Sequence, residues 1–378
     1  MGYRMLVIGA GLMAKSIAYD FVRQKDIDKV VIASLFLKDA KRLVKFLNSR
    51  KARAARLDAA DVAAAARLMK DADCAVSAVP YYFNYSLAKA AVRAGCDFVD
   101  LGGNNDVVGK EFSLNAQAKK KNVAIVPDCG LAPGMASNIV ALGLRDFKKV
   151  ESVSIRVGGL PQNPRGPLNY MMLFAPQGLI NEYIEPSVIL EDYRIKKVES
   201  MTGVEKLSFK GLGRLEAFYT SGGTSTMPKT FRGKIKSLDY KTIRYPGHAE
   251  KIKAMIELGL CSSEPVEVGG AKVPPREVLE KLLVKNLTFR DRDIALVRVT
   301  CEDGKKKVVF ELMDYQTGPL TAMMRTTGFH AAVIAEMLVR GRVKKKGTLR
   351  HELDIPPDIV VKELRARGLN IVKKVRHK

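Results

Sequence analysis

Along the first 130 residues, short apolar runs alternate with stretches whose apolar positions recur every three or four residues. That is the rhythm of strands and helices in a parallel sheet. Short runs at 4–8, 30–33, 53–57, 74–79, 98–101 and 123–126 predict six strands, the fourth of them buried. Helical spacing predicts helices opening at residue 12 and running over 38–47, 61–69, 85–94 and 111–121, with Asp61 placed to cap the third. From residue 151 the pattern becomes strict alternation, at 152–157, 195–198, 215–219, 295–301 and 307–312. Alternation of this kind predicts a mixed or antiparallel sheet. Helices are expected over 247–258, 275–283 and 328–339, Gly- and Pro-rich loops at 158–168 and 221–228, and an amphipathic segment at 359–367.

The pattern therefore predicts an α/β protein. Residues 1–130 form a doubly wound, Rossmann-type domain that binds a dinucleotide. Residues 131–327 form a substrate-binding and dimerisation domain with a mixed sheet, and residues 328–378 form a helix and basic tail that return to the first domain. A length of 378 residues agrees with more than one core. No apolar stretch is long enough to span a membrane, and the N-terminal apolar run ends in a glycine turn rather than a cleavage site. Five scattered cysteines with no C-x-x-C pair argue against a disulfide framework or structural zinc and point to a reducing cytoplasm. None of the four histidines has ligand spacing to another, so no metal is expected. The formal net charge of +24 raises nucleic-acid binding. The charge is spread along the chain without a nucleic-acid-binding signature, which favours a solvated basic surface.

The strand at 4–8 runs into Gly9-Ala10-Gly11-Leu12-Met13-Ala14, a G-x-G-x-x-A turn opening a helix. In that context Gly9 permits the turn, and Gly11 admits a pyrophosphate. Ala14 lets helix and strand pack closely, and the helix amides from Leu12 and Met13 hold phosphate. Ligands of such sheets lie beyond the carboxyl ends of the strands, which marks Ser34, Asp58, Val79, Pro80 and the segment Asp100-Leu101-Gly102-Gly103. Where NAD-binding sheets carry an acidic residue for the ribose, the second strand ends in Ser34, followed by Lys38. With no carboxylate there to repel a 2′-phosphate, NADP is favoured over NAD.

No nucleophile–base–acid set stands out, as suits hydride transfer to a cofactor. Polar candidates are Tyr81, Asp100, Tyr170, Thr224, Arg244 and His248. Arg244 has the planar fork that grips a carboxylate, and His248 titrates near neutrality. Each also has a structural reading: an ion pair for Arg244, and a helix cap for His248.

Taken together, several blocks resemble the saccharopine dehydrogenase-like superfamily, and within it the lysine 6-dehydrogenases. They are Val99-Asp-Leu-Gly-Gly-Asn104, Ile125-Val-Pro-Asp-Cys-Gly-Leu-Ala-Pro-Gly134, Val157-Gly-Gly-Leu-Pro-Gln-Asn-Pro164, Gly166-Pro-Leu-Asn-Tyr170, Leu179-Ile-Asn-Glu-Tyr-Ile-Glu-Pro186, Leu215-Glu-Ala-Phe-Tyr-Thr-Ser-Gly-Gly-Thr-Ser-Thr226 and Thr242-Ile-Arg-Tyr-Pro-Gly-His248. The resemblance runs to about residue 339 and leaves the basic tail without a counterpart. It implies a Rossmann domain and a second α/β domain with the substrate cleft between them, in a homodimer. It further implies oxidation of the lysine side-chain amine to an imine, then hydrolysis to 2-aminoadipate 6-semialdehyde, which cyclises to piperideine-6-carboxylate. Saccharopine or carboxy-polyamine chemistry in the reductive direction is the alternative, and a nucleotide-binding protein without turnover the remote one. By the same resemblance Gly9, Gly11, Leu12 and Met13 hold the pyrophosphate, and Val79, Pro80, Leu101, Gly102 and Gly103 flank ribose and nicotinamide. Tyr81, Tyr170, Thr224 and Arg244 line the substrate, with Arg244 on its α-carboxylate, and Asp100 or His248 takes the proton.

Overall fold

The computed structural model describes residues 2–377, which divide into two units. Of these, the first comprises residues up to 145 and 324–370, and the second 146–323 and those from 371 on. The first unit is built on strands β1 (Tyr3–Ile8), β2 (Ile27–Ser34), β3 (Ala52–Arg56), β4 (Cys74–Ser77), β5 (Asp97–Asp100) and β6 (Ala124–Val126). The second contains β7 (Ser152–Pro161), β8 (Ser187–Glu191), β9 (Arg194–Val198), β10 (Glu205–Phe209), β11 (Gly213–Tyr219), β12 (Ser237–Arg244), β13 (Val266–Val268), β14 (Ala271–Val273), β15 (Asp293–Glu302) and β16 (Lys306–Tyr315). Near the C-terminus, β17 (Gly347–Thr348) belongs to the first unit and β18 (Val372–His377) to the second.

All strands of the first unit are parallel, in the order β17-β6-β5-β4-β1-β2-β3. Met5, Leu6, Val7 and Ile8 are buried at the sheet's centre, which is what an unbroken apolar run requires when helices cover both faces. The order of the strands reverses at β1, whose neighbours are β2 on one side and β4 on the other. That is the switch point where doubly wound sheets bind ligands. The seventh strand, β17, comes from the stretch read as a basic tail; two residues in register with Ala124 and Ile125 carry too little pattern to be seen. The single helix expected over 111–121 is two helices, Asn105–Ser113 and Asn115–Lys120. Asn104 starts the first by accepting hydrogen bonds from the amides of Asp106 (2.9 Å) and Val107 (3.2 Å). Asp61 caps its helix as expected, accepting from Ala63 and Ala64.

The second unit has a nine-stranded mixed sheet, with β10-β11-β12-β7-β15-β16-β18 in line, β8 beside β12 and β9 beside β8. Only β7 and β12 run parallel. Strand β12 escaped the sequence pattern because its buried positions include Lys241, Thr242 and Arg244, which interrupt any apolar run. Strand β7 continues to Pro161 through residues expected to form a loop. Its Gly158 lies so close to β12 that a Cβ would stand 2.7 Å from the Ile243 carbonyl oxygen, so this glycine reports close packing and not a turn. The last residues of the tail depart from the segment 328–378: β18 pairs antiparallel with β16 in the second unit. Two tail lysines are neutralised there, Lys373 by Asp146 (2.7 Å) and Lys374 by Glu311. No helix among the described residues is long and apolar enough to cross a membrane.

Candidate functional site

The first unit gathers its expected residues on the carboxyl edge of the parallel sheet. Gly9 follows β1 at φ +115°, and a Cβ there would meet the Ala78 carbonyl oxygen at 2.6 Å. The turn thus admits glycine only. Gly11 precedes the helix Leu12–Phe21, and a Cβ on it would touch nothing within 4 Å. The approach to the helix amides is therefore open on that side. Leu12 is 55% exposed at the helix start, whereas Ala14 is fully buried against the strand. A tight glycine turn feeding an open helix N-terminus is the donor set that a pyrophosphate needs, so the residues present fit a nicotinamide dinucleotide.

Ser34 ends β2 directly beside Arg56 at the end of β3, in register. Arg56 is exposed and was not foreseen, because only strand pairing places a residue 22 positions on next to Ser34. Lys38 lies in the first turn of the helix Leu37–Leu47. The Asp58 carboxylate accepts from the Ala60 amide at 2.9 Å and so shapes the loop after β3. Beyond β4, Val79 and Pro80 lead into the turn Tyr81–Phe83, and beyond β5 Gly102 and Gly103 both have positive φ. A Cβ on Gly103 would press on Tyr81 at 3.1 Å. Tyr81 is thus a neighbour of the loop 101–103, in the first unit.

Asp100, expected to take a proton, is fully buried beneath this loop. Its Oδ1 accepts from Asn84 Nδ2 (3.0 Å), the Gly102 amide (2.7 Å) and the Asp128 amide (3.3 Å). Burial raises the Asp100 carboxyl towards neutrality. Glu111, which the sequence reading passed over, is buried beside it and pushed well up by burial and then by the charge of Asp100. Asp100 therefore orders the loop 101–103 and shares its low-dielectric setting with a second carboxyl. Glu111 lies on the buried side of the helix Asn105–Ser113.

In the second unit β12 delivers Arg244, 3% exposed, into a ring of aromatic and polar groups. Arg244 Nε donates to the Tyr183 hydroxyl (3.1 Å), and Nη1 donates to the Ile243 carbonyl (2.9 Å). The guanidinium lies 4.7 Å over the Tyr170 ring. The Tyr183 hydroxyl meets His248 Nε2 at 3.0 Å, and His248 Nδ1 meets the Leu168 carbonyl at 3.0 Å. A carbonyl only accepts, so Nδ1 carries the proton and Nε2 accepts from Tyr183. One directed chain results, from Arg244 through Tyr183 and His248 to Leu168. Burial, and then the charge of Arg244, lower the His248 pKa to about 3, so the ring is neutral. With both nitrogens engaged, His248 positions Tyr183 and Arg244; the helix starting at His248 is capped instead by Glu216, which accepts from the amides of Gly247 and Ala249.

Glu216 is also the cross-strand neighbour of Arg244, yet both of its oxygens go to those amides. The other buried cations of this unit, Arg156 and Lys241, are paired with Glu205 and Asp239 or with Glu205 alone. Arg244 makes no ion pair within 4.0 Å among the described residues. Tyr170 is buried, and its hydroxyl has no hydrogen-bond partner among the described residues. Thr224 stands apart from this chain of contacts, its hydroxyl donating to the Val188 carbonyl at 2.9 Å. Glu182 is the residue the sequence reading missed, although it lies in one of the quoted blocks. Its carboxyl is raised to about 7 by burial and by Glu185, against the pull of Arg244.

The family description "Saccharopine dehydrogenase NADP binding domain" matches residues 5–126, and "Saccharopine dehydrogenase C-terminal domain" matches 130–369. The second match carries the likeness well past residue 339, into the region read as a tail without a counterpart. The saccharopine dehydrogenase [NADP(+), L-glutamate-forming] of Saccharomyces cerevisiae is 24% identical over 318 residues, 81% of this chain and 70% of the relative. The carboxyaminopropylagmatine dehydrogenase of Synechocystis is 21% identical over 97% of this chain and 96% of its own. The solved apo structure of saccharopine dehydrogenase (L-Glu forming) from Saccharomyces cerevisiae aligns over 99% of this chain and 100% of that one, at TM-score 0.83 and 20% identity. The two folds are the same.

Proposed function

The chain belongs to the saccharopine dehydrogenase family, with NAD(P) as cofactor, and from that premise we propose that it oxidises the side-chain amine of L-lysine. The observation that carries this reading is Arg244, a buried guanidinium with no carboxylate of its own. An unpaired buried charge is costly, and a substrate carboxylate would supply the missing partner in planar, bidentate geometry. Among the described residues of the second unit, the other buried Arg and Lys side chains, Arg156 and Lys241, are ion-paired. A single such cation matches a substrate with one carboxylate.

The chemistry assigned to the cofactor is acceptance of a hydride. Oxidation of the carbon bearing the amine removes that hydride and a proton from nitrogen; water then adds to the imine and ammonia leaves. For this the chain supplies orientation. Gly9, Gly11, Leu12 and Met13 hold the pyrophosphate, and Ser34 with Lys38 and Arg56 accommodates a 2′-phosphate. The loop 101–103 is held by Asp100, and the chain from Leu168 to Arg244 fixes the carboxylate-binding fork. Asp100, raised towards neutrality, is the candidate proton acceptor.

A reductive reading is favoured by the relatives, since the two named above carry the names of saccharopine and carboxyaminopropylagmatine dehydrogenases. Absorbance at 340 nm distinguishes the two when purified protein is given NAD or NADP with L-lysine, and in parallel with L-saccharopine. Reduction of cofactor with L-lysine and release of ammonia is the expected result. Activity confined to saccharopine would replace the lysine reading with the second.

A further inference from the structure

Several buried polar groups near the loop 101–103 converge on one residue, Asp128, which lies between β6 and the helix Met135–Leu144. Asp128 is 3% exposed and has φ +63°, a left-handed conformation that is uncommon for a residue with a side chain. Two glycines enclose it. A Cβ on Gly102 would stand 1.9 Å from Asp128 Oδ1, and a Cβ on Gly134 would stand 2.3 Å from the Asp128 carbonyl oxygen. The Asp128 carboxylate therefore fills the space that a side chain at 102 would need, and the loop rests on it.

The carbonyls on either side of Asp128 are each gripped by a histidine from the C-terminal part of the first unit, His330 in the helix Ala322–Val339 and His351 at the start of the short helix His351–Asp354. His351 Nε2 donates to the Pro127 carbonyl at 3.0 Å, and His330 Nδ1 donates to the Cys129 carbonyl at 2.9 Å. The remaining ring nitrogens, His351 Nδ1 and His330 Nε2, both meet the side-chain amide of Asn138, at 3.2 and 2.8 Å. Both histidines and Asn138 are buried. The Cys129 amide in turn donates to the Asp100 carbonyl at 2.7 Å. The chain is thus anchored on both sides of the Asp128 N–Cα bond, which keeps φ positive. An uncommon backbone conformation persists when its surroundings over-determine it in this way.

We propose that His330 and His351 are positioning residues for the cofactor: by fixing Asp128 they hold the loop 101–103 in the conformation that receives the nicotinamide half of the dinucleotide. They act through Asp128 and the loop, not by contact with the reacting atoms. The proposal rests on the nicotinamide lying beside the loop 101–103 and is independent of which amine is oxidised. The geometry also says which ring nitrogens matter. Asparagine places an amide N–H near the position of a histidine Nδ1, and glutamine near that of Nε2. His330→Asn and His351→Gln therefore keep the donors to Cys129 and Pro127, whereas His330→Leu and His351→Leu remove them.

Calorimetric titration of the full chain with NADPH and with 2′-phospho-ADP-ribose tests this, because the second ligand keeps the adenine, 2′-phosphate and pyrophosphate and lacks only the nicotinamide. Wild type should bind NADPH about ten-fold or more tightly than the fragment. The two leucine variants should bring the ligands to within a few-fold of each other by weakening NADPH alone, and His330→Asn and His351→Gln should keep most of the preference. Asp128→Gly, which accepts positive φ but lacks the carboxylate, should lose the preference too, and His351→Leu added to that variant should cost no more of it. Folded leucine variants with the wild-type preference overturn the proposal and leave the cofactor placement standing. Asp128→Gly with undiminished preference does the same and serves if the leucine variants do not fold. Equal weakening of both ligands marks a loss of packing and overturns the positioning role. Wild type that binds the two ligands equally removes the nicotinamide from the loop, and the proposal with it. Failure of both ligands to bind overturns the dinucleotide site and the proposal together.

Discussion

At the scale of single residues, the strongest claims concern charges whose partners are fixed by geometry. Arg244 is pinned by Tyr183 and the Ile243 carbonyl, which leaves the rest of its fork for a ligand. Lysine offers a point charge and no fork, so Arg244→Lys should lower kcat/KM with the amino-acid substrate by about 10- to 100-fold and leave NADP affinity unchanged. An equal loss of cofactor affinity would remove Arg244 from the substrate site. Ser34 makes a second case. Beside Arg56 and followed by Lys38, it ends β2 with no carboxylate. Ser34→Asp should shift the ratio of kcat/KM values from NADP towards NAD, and an unchanged ratio would mean that Ser34 does not read the ribose. Arg244 stood out as a candidate in the sequence because its residue type matches a chemical need. Arg56 did not, because its place beside Ser34 comes from strand pairing remote along the chain.

At the scale of elements, the first unit is fastened by its C-terminal segments. Arg367, just beyond the helix Pro357–Ala366, reaches Asp20 with Nε (2.9 and 3.0 Å) and Glu336 with Nη2 (2.7 Å). Asp20 lies in the helix after the glycine turn, and Glu336 in the helix Ala322–Val339. One side chain therefore joins three helices, and all three groups are buried. Arg367→Met would leave the buried Asp20 carboxylate without its cation, while Glu336 keeps Arg340 at 2.8 Å, at a cost of about 3 kcal/mol. The expected readout is a fall of several degrees in the melting temperature that bound NADP reduces without abolishing. A variant that melts like wild type would show that this contact is not needed to dock the last helix. None of these contacts follows from periodicity, which reports the apolar face of a helix and is silent on which charged group finds which partner.

At the scale of the whole molecule, buried titratable groups set the dependence of stability on pH. Burial lowers His248 and His330 to about 3 and His351 to about 4. Between those values and 6.5 the unfolded chain binds protons that the folded one refuses, so their contribution is present above 6.5 and is lost as pH falls. Burial raises Asp100, Glu111, Glu182 and Glu336, whose contribution is present in acid and is lost as pH rises through their folded values. From about pH 4.5 to 6.5 the two sets oppose each other. Below about 4.5 the histidines act in concert with Asp26, which hydrogen bonds from Arg340 hold low. Melting temperature should therefore change little between about pH 4.5 and 6.5 and drop steeply below. A steady rise across that interval would show that the buried carboxyls are ionised in the folded state.

The sequence by itself determined the alternation of strands and helices in the first unit, the glycine turn and its cofactor, and the family. Each rests on local signals: an apolar run, a 3.6-residue period, a glycine that must accept positive φ, or a long irregular block. Tertiary structure decided the rest. The polar interior of β12 hid the strand that carries Arg244, and the two residues of β17 were too short to show a period. It also decided that His248 is spent on Tyr183 and Leu168, and that Glu216 caps a helix and leaves Arg244 unpaired. A residue's type states what it can bond to, but burial and register decide which bonds are already made, and a binding site consists of those that are not.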